Sequence, residues 1–580
     1  MPSSRFAQID PRARPKSWID PEPVPPGIDP IHDHKLAHAL LYRRGIRDRS
    51  TADTFLNSRI DESIDSSLLP DFGRAVDRIT AAVRNGERIG IFGDYDVDGT
   101  TSAAMLFLAL SAAGAGDRTT VRLPTRAEGY GLSGAAIEEF LEKDIDLLIA
   151  LDCGSADHGK VAYARALGME VVIVDHHQMR DSGPEDAIVV SAYRPEGGVY
   201  KELSAAGLTW QLVAALEDAG LRVADDDAGA ESYLDLAALG LIGDVSTMTG
   251  ASRVLVREGL RRLAQETRPG MAALASAANV DLTRVSSTDV SFRITPRLNA
   301  PGRMGDPNLA LNLLLAPNLG VAQGLMLQLE ELNARRKRAT DEITRDAERL
   351  LQRDPTWQSH PVLVVQSEGW QAGVLGIVAA KLSEAHDRPA VVLVEEDGIL
   401  RGSMRSPEGF DVAGALANCA PLLRTHGGHR LAGGLSLESG NVSRLIDQLT
   451  ELAAERTPAI MPSLQLDAEL QEKHLNLEIA RLVRTLEPFG PGNEEPVFVL
   501  RNVRLQKYDA IGQTKAHLSL TVGNGRPVRA VFFNAASRSR ELVGARAIDL
   551  AFTLGEGEWN GPKLDVLVKD FRAAQASPLS

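Results

Sequence analysis

The stretch IGIFGDYDVDGTTSAAM, residues 89–105, decides the fold of this chain. Its apolar start, residues 89–92, has the composition of a short buried strand. Gly99 then allows a tight turn, and Thr100–Ser102 offers capping side chains for a helix predicted over residues 103–110. A strand followed by a polar turn and a helix predicts an α/β unit, with the polar turn at the carboxyl end of the strand.

The polar turn carries three acids at alternate positions, Asp94, Asp96 and Asp98. Carboxylates this close repel one another unless a cation lies among them, and hard divalent cations prefer carboxylate oxygens. We therefore predict a divalent metal site, with a solvated acidic turn as the alternative. An EF-hand calcium loop is excluded, because Met105 stands where that loop needs its closing Glu.

Further strands end in similar polar clusters. The run Asp146–Leu151 is followed by Asp152, and the run Glu170–Val174 is followed by Asp175, His176 and His177. A helix predicted over residues 159–167 separates these runs, and a further strand is predicted over Ala187–Val190. Alternating strands and helices indicate a parallel sheet, whose strands all present their carboxyl ends at one edge. We expect the three clusters to converge there.

A fourth acid, Asp244, follows the apolar helix predicted over Tyr233–Ile242. Such a residue is often no more than the last position of a helix. The convergence of the other three clusters favours a ligand role for Asp244 as well.

The size and composition of the chain narrow the class of protein. A chain of 580 residues is too long for one core, and we expect about three to four domains. The N-terminus has no apolar segment of a signal peptide, and no run of eighteen apolar residues exists, so we expect no membrane-spanning segment. The two cysteines, Cys153 and Cys419, cannot form a disulfide framework, which favours a reducing, cytoplasmic location. Cys153 is interpreted as a packing residue. The net charge of -15 argues against a protein that coats nucleic acid but is compatible with a local basic groove.

Residues 290–307 concentrate hydrogen-bond donors, namely Arg293, Arg297, Asn299 and Arg303. Guanidinium groups suit phosphate, so we predict a shaped loop that contacts phosphate, with a solvated loop as the alternative. A long helix predicted over Leu319–Arg353 has the length of a connector between domains. Its basic patch, residues 334–338, is interpreted as a solvated face.

Two later segments also suggest ligand contacts. Closely spaced glycines in Gly369–Ile377 open a helix and form a candidate phosphate cradle. The run His426–His429 is predicted to be a loop with close backbone approach, and it lacks the partners of a zinc site. Beyond residue 464, five short strand-like runs after the turn-rich linker Pro488–Asn493 predict a small β-barrel.

The motifs GDYDVDGTTS, LDCGS, VDHH and GLIGDV, in this order, resemble the DHH phosphoesterase superfamily. With PRLNAPGRMGD, GWQAGVLGIVAAKL, GSMRS, GGHRLAGGLSL and LEPFGPGNEEPVF, the chain is similar to the branch of single-strand-specific 5′→3′ DNA exonucleases. The resemblance covers roughly residues 70–570. It implies an α/β fold with a parallel-sheet DHH domain, a long connecting helix, an α/β DHH-associated domain and a C-terminal β-barrel of the OB-fold type.

The division that the resemblance and the pattern imply has five parts. They are an N-terminal extension (1–70), the DHH phosphoesterase domain (71–316), the connecting helix (317–354), the DHH-associated domain (355–460) and the OB-fold domain (461–580).

The resemblance also implies a metal centre that holds two Mn²⁺ or Mg²⁺ ions. The implied ligands are Asp94, Asp96, Asp98, Asp152, His176 and Asp244. Asp175 would orient the histidine pair, and His177 would face the scissile phosphate, so that Asp98, Asp152 and His177 are the implied catalytic residues.

On the substrate side, the resemblance implies contacts from residues of several segments. They are Arg126, Arg297, Asn299, Arg303, Ser403, Arg405, Gly428 and His429. Arg126, Ser403 and Arg405 resemble a pocket for a 5′-phosphate, although Arg405 alternatively pairs with Glu408. The chain departs from the family pattern at Phe92 and Gln371, where relatives carry His, and Gln371 cannot titrate near neutral pH.

The implied reaction is hydrolysis of single-stranded DNA from the 5′ end by a two-metal mechanism, releasing 5′ mononucleotides in DNA recombination and repair. The candidate base-stacking residues are Tyr130, Trp370 and Phe489, each of which is alternatively a core residue.

A monomer is expected, with single-strand-binding protein and a helicase as partners by resemblance and no membrane contact. Two alternatives remain, a phosphodiesterase for short oligonucleotides or cyclic dinucleotides and a catalytically silent DNA-binding relative.

Overall fold

The structure is a computed structural model of the chain. It describes residues 14–60, 64–126, 128–179, 181–194, 199–265, 267–354, 357–396, 398–454, 462–558 and 562–574. The chain forms two compact units. The first unit comprises Asp53–Arg336 and Glu487–Glu494, and the second comprises Met1–Ala52, Lys337–Leu486 and Glu495–Ser580. The predicted helix Leu319–Arg353 is continuous and contributes residues to both units.

The strands belong to four sheets. They are β1 Ser17–Ile19, β2 Ile89–Gly93, β3 Thr119–Arg122, β4 Leu147–Leu151, β5 Glu170–Val174, β6 Ile188–Val190, β7 Leu363–Glu368, β8 Ala390–Glu396, β9 Ile399–Arg405, β10 Thr425–His429, β11 Ala432–Glu438, β12 Ser463–Gln465, β13 Ala468–Glu469, β14 Phe498–Ile511, β15 His517–Val522, β16 Val528–Phe532, β17 Ala547–Glu558 and β18 Pro562–Ala573.

Helices cover both faces of the first sheet and flank the others. The longer ones are Lys35–Arg43, Arg49–Asn57, Phe72–Asn85, Val97–Leu110, Gly134–Glu142, His158–Ala166, Ala205–Asp218, Leu234–Gly243, Gly250–Gln265, Pro269–Ala278, Asn308–Leu314, Leu319–Arg353, Leu375–His386, Val412–Asn418, Val442–Ala454 and Leu477–Arg484.

The first unit is built on a parallel sheet of order β3-β2-β4-β5-β6. The predicted parallel-sheet architecture is confirmed, and strands β2, β4 and β5 are buried apolar runs as expected. Strand β3 was not predicted, because its sequence TTVR is short, half-buried throughout and without alternation. The chain leaves β2 for the edge strand β3 and returns to β4 on the other side of β2. Ligand sites of open α/β sheets lie at such a reversal, outside the carboxyl ends of the strands.

The helix after β2 begins earlier than the sequence suggested. It spans Val97–Leu110 with Asp96 as its N-cap, so Thr100–Ser102 lies inside the helix and the predicted cap was wrong. Asp is as favourable an N-cap residue as Ser or Thr. Asp96 takes this position because the chain must turn into the helix immediately after the strand. Together with the turns that follow it to Arg118, this helix is long and apolar enough to cross a membrane, yet its window is 61% buried within the protein. It is a core helix of the unit.

The second unit contains a mixed sheet of order β10-β11-β9-β8-β7, in which β7 and β8 are parallel and the remaining pairs antiparallel. This confirms an α/β architecture for the segment. The predicted loop His426–His429 is wrong, because these residues lie in β10 and pair with β11. Position 428 requires glycine, because its φ is +148 and a Cβ there would lie 2.3 Å from the Ala432 carbonyl oxygen.

The C-terminal strands close into a barrel of order β13-β14-β15-β16-β18-β17, completed by pairing of β14 with β17. The predicted barrel is confirmed. The N-terminal extension is attached to this region, since β1 pairs in parallel with β12. Within it, the backbone N–H of Lys16 and the indole N–H of Trp18 donate to Asp570 at 2.9 and 2.7 Å. Residues 1–13 of the predicted extension lie outside the described residues.

The turn-rich segment Pro488–Asn493 is not a free linker, and that prediction was wrong. It belongs to the first unit, where the Met248 N–H donates to the Pro491 carbonyl at 2.7 Å. Arg253 is 2% exposed and donates to the carbonyls of Phe55, Glu487 and Pro488 at 3.0, 2.9 and 3.3 Å. A single buried guanidinium thus joins two distant segments to the helix Gly250–Gln265.

Replacing Arg253 with Met is expected to destabilise the protein by about 2–3 kcal/mol, because the three buried carbonyls would lose a charged donor. The measurement is the urea midpoint of unfolding followed by circular dichroism. Arg261→Met is the matched control on the same helix, since the Arg261 side chain is 62% exposed and pairs with Glu258 on the surface. Equal midpoints for the two variants would contradict the role of Arg253.

Candidate metal centre

The backbone brings the predicted acidic clusters to one edge of the parallel sheet. The residue after each of three strands donates its N–H to the last residue of the next strand. Asp94 donates to Leu151 at 3.3 Å, Asp152 to Val174 at 2.9 Å, and Asp175 to Val190 at 3.1 Å. Each cluster is therefore fixed to its neighbour by the sheet ladder, and the predicted convergence is observed.

The helix begins within this acidic turn. Asp94 precedes the helix, Asp96 is its N-cap and Asp98 lies in its first turn. Asp96 accepts from the N–H groups of Asp98 and Gly99 at 2.9 and 3.2 Å, as an N-cap does. Gly99 lies so close to Asp94 that a Cβ would stand 2.4 Å from the Asp94 nitrogen. Only glycine at this position lets the helix start fold back on the strand end.

Asp98 is held by the start of a second helix. Its carboxylate accepts from Ser204 Oγ at 2.6 Å and from the N–H groups of Ala205 and Ala206 at 2.8 and 3.0 Å. These residues begin the helix Ala205–Asp218 and were not identified from the sequence, although a Ser before an apolar run is a recognisable helix start. Burial nevertheless raises the pKa of Asp98 above its usual range, and the Asp96 charge adds to this.

His176 lies at the middle of the cluster. Its Nε2 is 3.1 Å from Asp152 Oδ1 and 3.7 Å from Asp98 Oδ2, and its Nδ1 is 3.8 Å from Asp244 Oδ2. The structure thus brings Asp244, the C-terminal cap residue of the helix Leu234–Gly243, to the other predicted ligands. Three overlapping groups have ligand atoms within 4.8 Å of one another. They are Asp94, Asp96 and Asp152; Asp98, His176 and Asp244; and Asp152, His176 and His177.

Within the part of the chain that the structure describes, several ligand atoms of this cluster are buried without a hydrogen-bond partner, namely Asp94 Oδ1, Asp152 Oδ1 and His176 Nε2. Burial, followed by the neighbouring carboxylates, raises the pKa of Asp94 and of Asp152 well above the usual range. The same causes raise the pKa of Asp244 to about 8. Unpaired oxygens and an imidazole nitrogen converging in this way fit divalent metal ions, which would supply the missing positive charge.

Asp152 has a left-handed backbone, with a φ of 64. Non-glycine residues adopt this conformation rarely, and it is typical of functional sites where the surrounding structure holds it. The conformation lets Asp152 follow β4 directly and still turn its carboxylate toward His176. The adjacent Cys153 is fully buried among apolar side chains, in agreement with a packing role.

Asp175 and His177 form a pair behind the ligand cluster. Asp175 accepts from His177 Nδ1 at 2.8 Å and from Ser155 N and Oγ at 3.1 and 2.5 Å. Burial opposes the charge of Asp175, but these donors outweigh it and hold its pKa well below the usual range. Burial likewise acts against protonation of His177, yet the Asp175 hydrogen bond and charge outweigh it and raise the pKa of His177 to about 9. The Tyr130 hydroxyl, named from the sequence only as a stacking candidate, also contacts His177.

A group of cations lies beside the acids. The Arg126 guanidinium stands over the Tyr95 ring at 4.8 Å, and its Nε donates to the Gly302 carbonyl at 3.2 Å. Burial and the charges of Arg126 and Arg336 lower the pKa of Arg303 to about 10. Arg336 was interpreted from the sequence as part of a solvated patch, whereas here it contributes to the same positive region. Three guanidinium groups this close repel one another, so an anion bound among them would be stabilised.

The predicted loop over residues 290–307 is mostly helical, with turns at Thr295–Leu298 and Ala300–Met304, so the loop prediction was wrong. Arg297 pairs with Glu330 and donates to the Arg293 carbonyl at 2.6 Å. Asn299 accepts from the Val97 N–H at 3.1 Å and so steadies the start of the metal-site helix. Arg297 and Asn299 therefore have structural contacts within the first unit.

The remaining predicted residues lie in the second unit. Ser403 and Arg405 are on β9, and both border Gly376, the second residue of the helix Leu375–His386. A Cβ on Gly376 would lie 2.8 Å from Arg405 Nη2 and 3.4 Å from Ser403 Oγ. Glu408, the alternative partner of Arg405, pairs with Arg430 at 3.1 Å. A helix start with a guanidinium and a hydroxyl packed against its glycine has the composition of a phosphate site.

His429 ends β10, next to the left-handed Gly428, and its side chain is exposed. Phe92 is fully buried in the core of the first unit, and Gln371 is exposed at the turn before the helix Leu375–His386.

Comparison with known families gives three matches. Residues 88–241 match the model of the DHH family N-terminal domain, residues 359–455 the DHHA1 domain, and residues 466–570 the RecJ OB domain. The chain is 32% identical to the single-stranded-DNA-specific exonuclease RecJ of Escherichia coli, over 91% of this chain and 93% of the relative. It is 30% identical to RecJ of Bacillus subtilis, over 95% of this chain and 70% of the relative.

Among solved structures, the chain is similar to RecJ of Thermus thermophilus in complex with Mn²⁺. The TM-score is 0.81 at 29% identity, over 96% of this chain and 80% of that chain. A second structure of that protein is a complex with Mg²⁺ and has a TM-score of 0.75.

The raised pKa of Asp244 gives a pH-dependent stability that can be measured without substrate. In metal-free protein the folded state holds a proton that the unfolded state has lost. The stabilisation is therefore complete below about pH 4 and is lost as the pH rises through the folded value of about 8. We expect the thermal midpoint in chelator to fall between about pH 5 and about pH 8.5, and Asp244→Asn to reduce the slope.

Added Mn²⁺ should raise the midpoint more at the alkaline end, because the ligands must lose protons to bind it. Asp281→Asn, which removes an exposed carboxyl of the same unit, is the control and should leave the slope unchanged. Equal slopes for wild type and Asp244→Asn would contradict the buried protonated state.

Proposed function

The chain belongs to the RecJ family of single-stranded-DNA-specific exonucleases, and we propose on this premise that it hydrolyses single-stranded DNA from the 5′ end and releases 5′ mononucleotides. The observation that carries the proposal is the set of buried, unpartnered ligand atoms on Asp94, Asp152 and His176 at the reversal of strand order. A catalytically silent relative would have no need to keep these costly groups in place. The C-terminal barrel argues against a substrate of only two nucleotides, which needs no extended platform.

We propose that the cluster holds two Mn²⁺ or Mg²⁺ ions, the metals of the Thermus thermophilus complexes. The ligands would be Asp94, Asp96, Asp98, Asp152, His176 and Asp244. When bound, the ions supply an activated water and stabilise charge on the phosphodiester oxygens. Asp152 would be the ligand that the two groups share, because it belongs both to the group with Asp94 and Asp96 and to the group with His176 and His177, and its Oδ1 has no hydrogen-bond partner among the described residues.

The protein's own groups orient the reaction around this centre. Asp175 fixes the His177 ring through the 2.8 Å contact to Nδ1, and the raised pKa keeps His177 protonated at neutral pH. A cationic imidazole at the wall of the centre would attract the scissile phosphate and donate a proton to a departing oxygen. Arg126 and Arg303 would contribute further positive charge, which makes an acidic protein able to bind a polyanion locally.

In the second unit, Ser403 and Arg405, which pack against the helix start at Gly376, are proposed to bind a 5′-phosphate, and His429 and Gly428 to contact the strand. A terminal phosphate monoester carries more negative charge than an internal diester, and a guanidinium beside a hydroxyl suits its oxygens. Recognition of this end would set the 5′→3′ direction. Arg126 is proposed to serve the same phosphate chemistry in the first unit.

The barrel of the second unit is proposed to bind single-stranded DNA without taking part in the chemistry. The five-part division of the chain, with boundaries at residues 70, 316, 354 and 460, is kept as a proposal. We also propose a cytoplasmic monomer that acts in DNA recombination and repair, with single-strand-binding protein and a helicase as partners.

The test of the proposed function is digestion of 5′- and 3′-labelled single- and double-stranded DNA with Mn²⁺. Wild type should release labelled mononucleotide from the 5′ end of the single strand first. Asp152→Ala should lower the rate by about 100-fold or more, because a metal ligand is lost. Cys153→Ser, which alters the buried neighbour, should retain activity. Release from the 3′ end, or turnover by Asp152→Ala close to that of wild type, would contradict the proposal.

A separate comparison tests the phosphate site. Wild type is expected to degrade 5′-phosphorylated strands faster than 5′-hydroxyl strands, and Arg405→Ala to lose most of that preference, about 10-fold. Arg430→Ala is the matched control, because Arg430 is 71% exposed in the turn between β10 and β11 and pairs with Glu408. Equal rates on both substrates for all three proteins would rule out recognition of the terminal phosphate.

A further inference from the structure

Tyr130 places its hydroxyl between Asp152, a member of the ligand cluster, and His177, which borders that cluster. The hydroxyl donates to the Asp152 carbonyl at 3.0 Å, and its oxygen lies 2.9 Å from Nδ1 and 3.3 Å from Nε2 of His177, so it faces the imidazole as an acceptor. The phenol meets the imidazole nearly edge-on, with ring centroids 5.2 Å apart. The residue is 52% exposed, so its ring borders solvent while its polar end reaches the cluster. The contact with the site is made by the hydroxyl.

The carbonyl that Tyr130 binds belongs to the strained residue of the site. Asp152 has a φ of 64, and a residue in this conformation keeps it only when its surroundings fix both of its peptides. On one side the Asp152 N–H donates to Val174 at 2.9 Å. On the other side the Tyr130 hydroxyl is the donor to its carbonyl. The phenol therefore supplies the second of the two hydrogen bonds that hold the Asp152 backbone. This backbone directs Oδ1 of Asp152 into the ligand cluster.

The segment that carries Tyr130 is itself firmly held. Gly129 and Gly131 have φ values of 91 and 87, so the tyrosine stands at the tip of a turn that glycines permit. Gly131 lies against Asp157, where a Cβ would be 2.6 Å from Oδ2, and the Leu132 N–H donates to that oxygen at 2.8 Å. This packing fixes the direction in which the phenol points.

Glu128 secures the other side of the turn. Its carboxylate accepts from Thr125 N and Oγ1 at 3.0 and 2.9 Å, from Arg122 at 2.6 Å and from Ser133 Oγ at 3.1 Å. All these partners are within the protein, so the position of Tyr130 is set before any substrate arrives. A residue arranged in this way fits a supporting role better than that of an adaptable stacking platform.

We propose that Tyr130 is a positioning residue that, through its hydroxyl, holds the Asp152 carbonyl and the His177 imidazole in the arrangement that hydrolysis requires. The inference rests on the proposed nuclease function. It departs from the interpretation of Tyr130 as a base-stacking aromatic, because stacking uses the ring and would not need the hydroxyl. Loss of the hydroxyl should free both the strained peptide and one side of the imidazole.

The experiment compares Tyr130→Phe and Tyr130→Leu with wild type in full-length protein. Both variants should lower kcat for single-stranded DNA by about 10- to 100-fold and leave KM close to the wild-type value. Titration of the metal-free proteins with Mn²⁺, without DNA, should show affinity reduced by about 10-fold for Tyr130→Phe. A stacking role would instead leave Tyr130→Phe like wild type and raise KM for Tyr130→Leu.

Tyr233→Phe is the matched control, because the Tyr233 hydroxyl also donates to a backbone carbonyl, that of Val223 at 2.6 Å, outside the ligand cluster. This variant should lose comparable thermal stability while keeping kcat and Mn²⁺ affinity. The inference is overturned if Tyr130→Phe keeps both quantities within about twofold of wild type. Absence of nuclease activity in wild type would count against the proposed function alone, since the Mn²⁺ titration still decides the role of Tyr130.

Discussion

Burying several carboxylates at one edge of a parallel sheet costs free energy unless positive charge is supplied. The contacts of the first unit compensate for this cost only in part. The strand ladder fixes Asp94 and Asp152 side by side, and the start of the helix Ala205–Asp218 gives its N–H groups to Asp98. These donors satisfy one acid and leave oxygens of the others turned inward. The remaining deficit of positive charge is what makes the edge a metal site, and the protein gains function from an arrangement that is poor for stability alone.

The two units place cationic side chains in different physical settings. In the first unit, Arg126, Arg303 and Arg336 are brought together so closely that burial and mutual repulsion lower the pKa of Arg303. In the second unit, the Arg405 guanidinium and the Ser403 hydroxyl pack closely against Gly376 at a helix start, where a larger side chain would clash. The first arrangement concentrates positive charge, whereas the second places one cation beside one hydroxyl.

The parts of the site that could be predicted from sequence are those encoded locally. The strands β2, β4 and β5 are uninterrupted apolar runs, and the acid or histidine follows each strand at once, so the parallel-sheet rule was enough to predict their convergence. The donors to Asp98 come from residues more than a hundred positions away, and no local pattern links Ser204 to that acid. The edge strand β3 and the helix-forming segment after residue 290 were missed because their composition is ambiguous and tertiary contacts decide their conformation.

The path of the chain has a consequence for its folding. Strand β1 pairs with β12, and Lys16 and Trp18 donate to Asp570, across separations of 554 and 552 residues. The segment Glu487–Glu494 likewise returns to the first unit after much of the second has been made. The contacts of Lys16 and Trp18 with Asp570 therefore require the last described strand of the barrel. Closing loops of this length is entropically costly, so we expect these contacts to form late in folding.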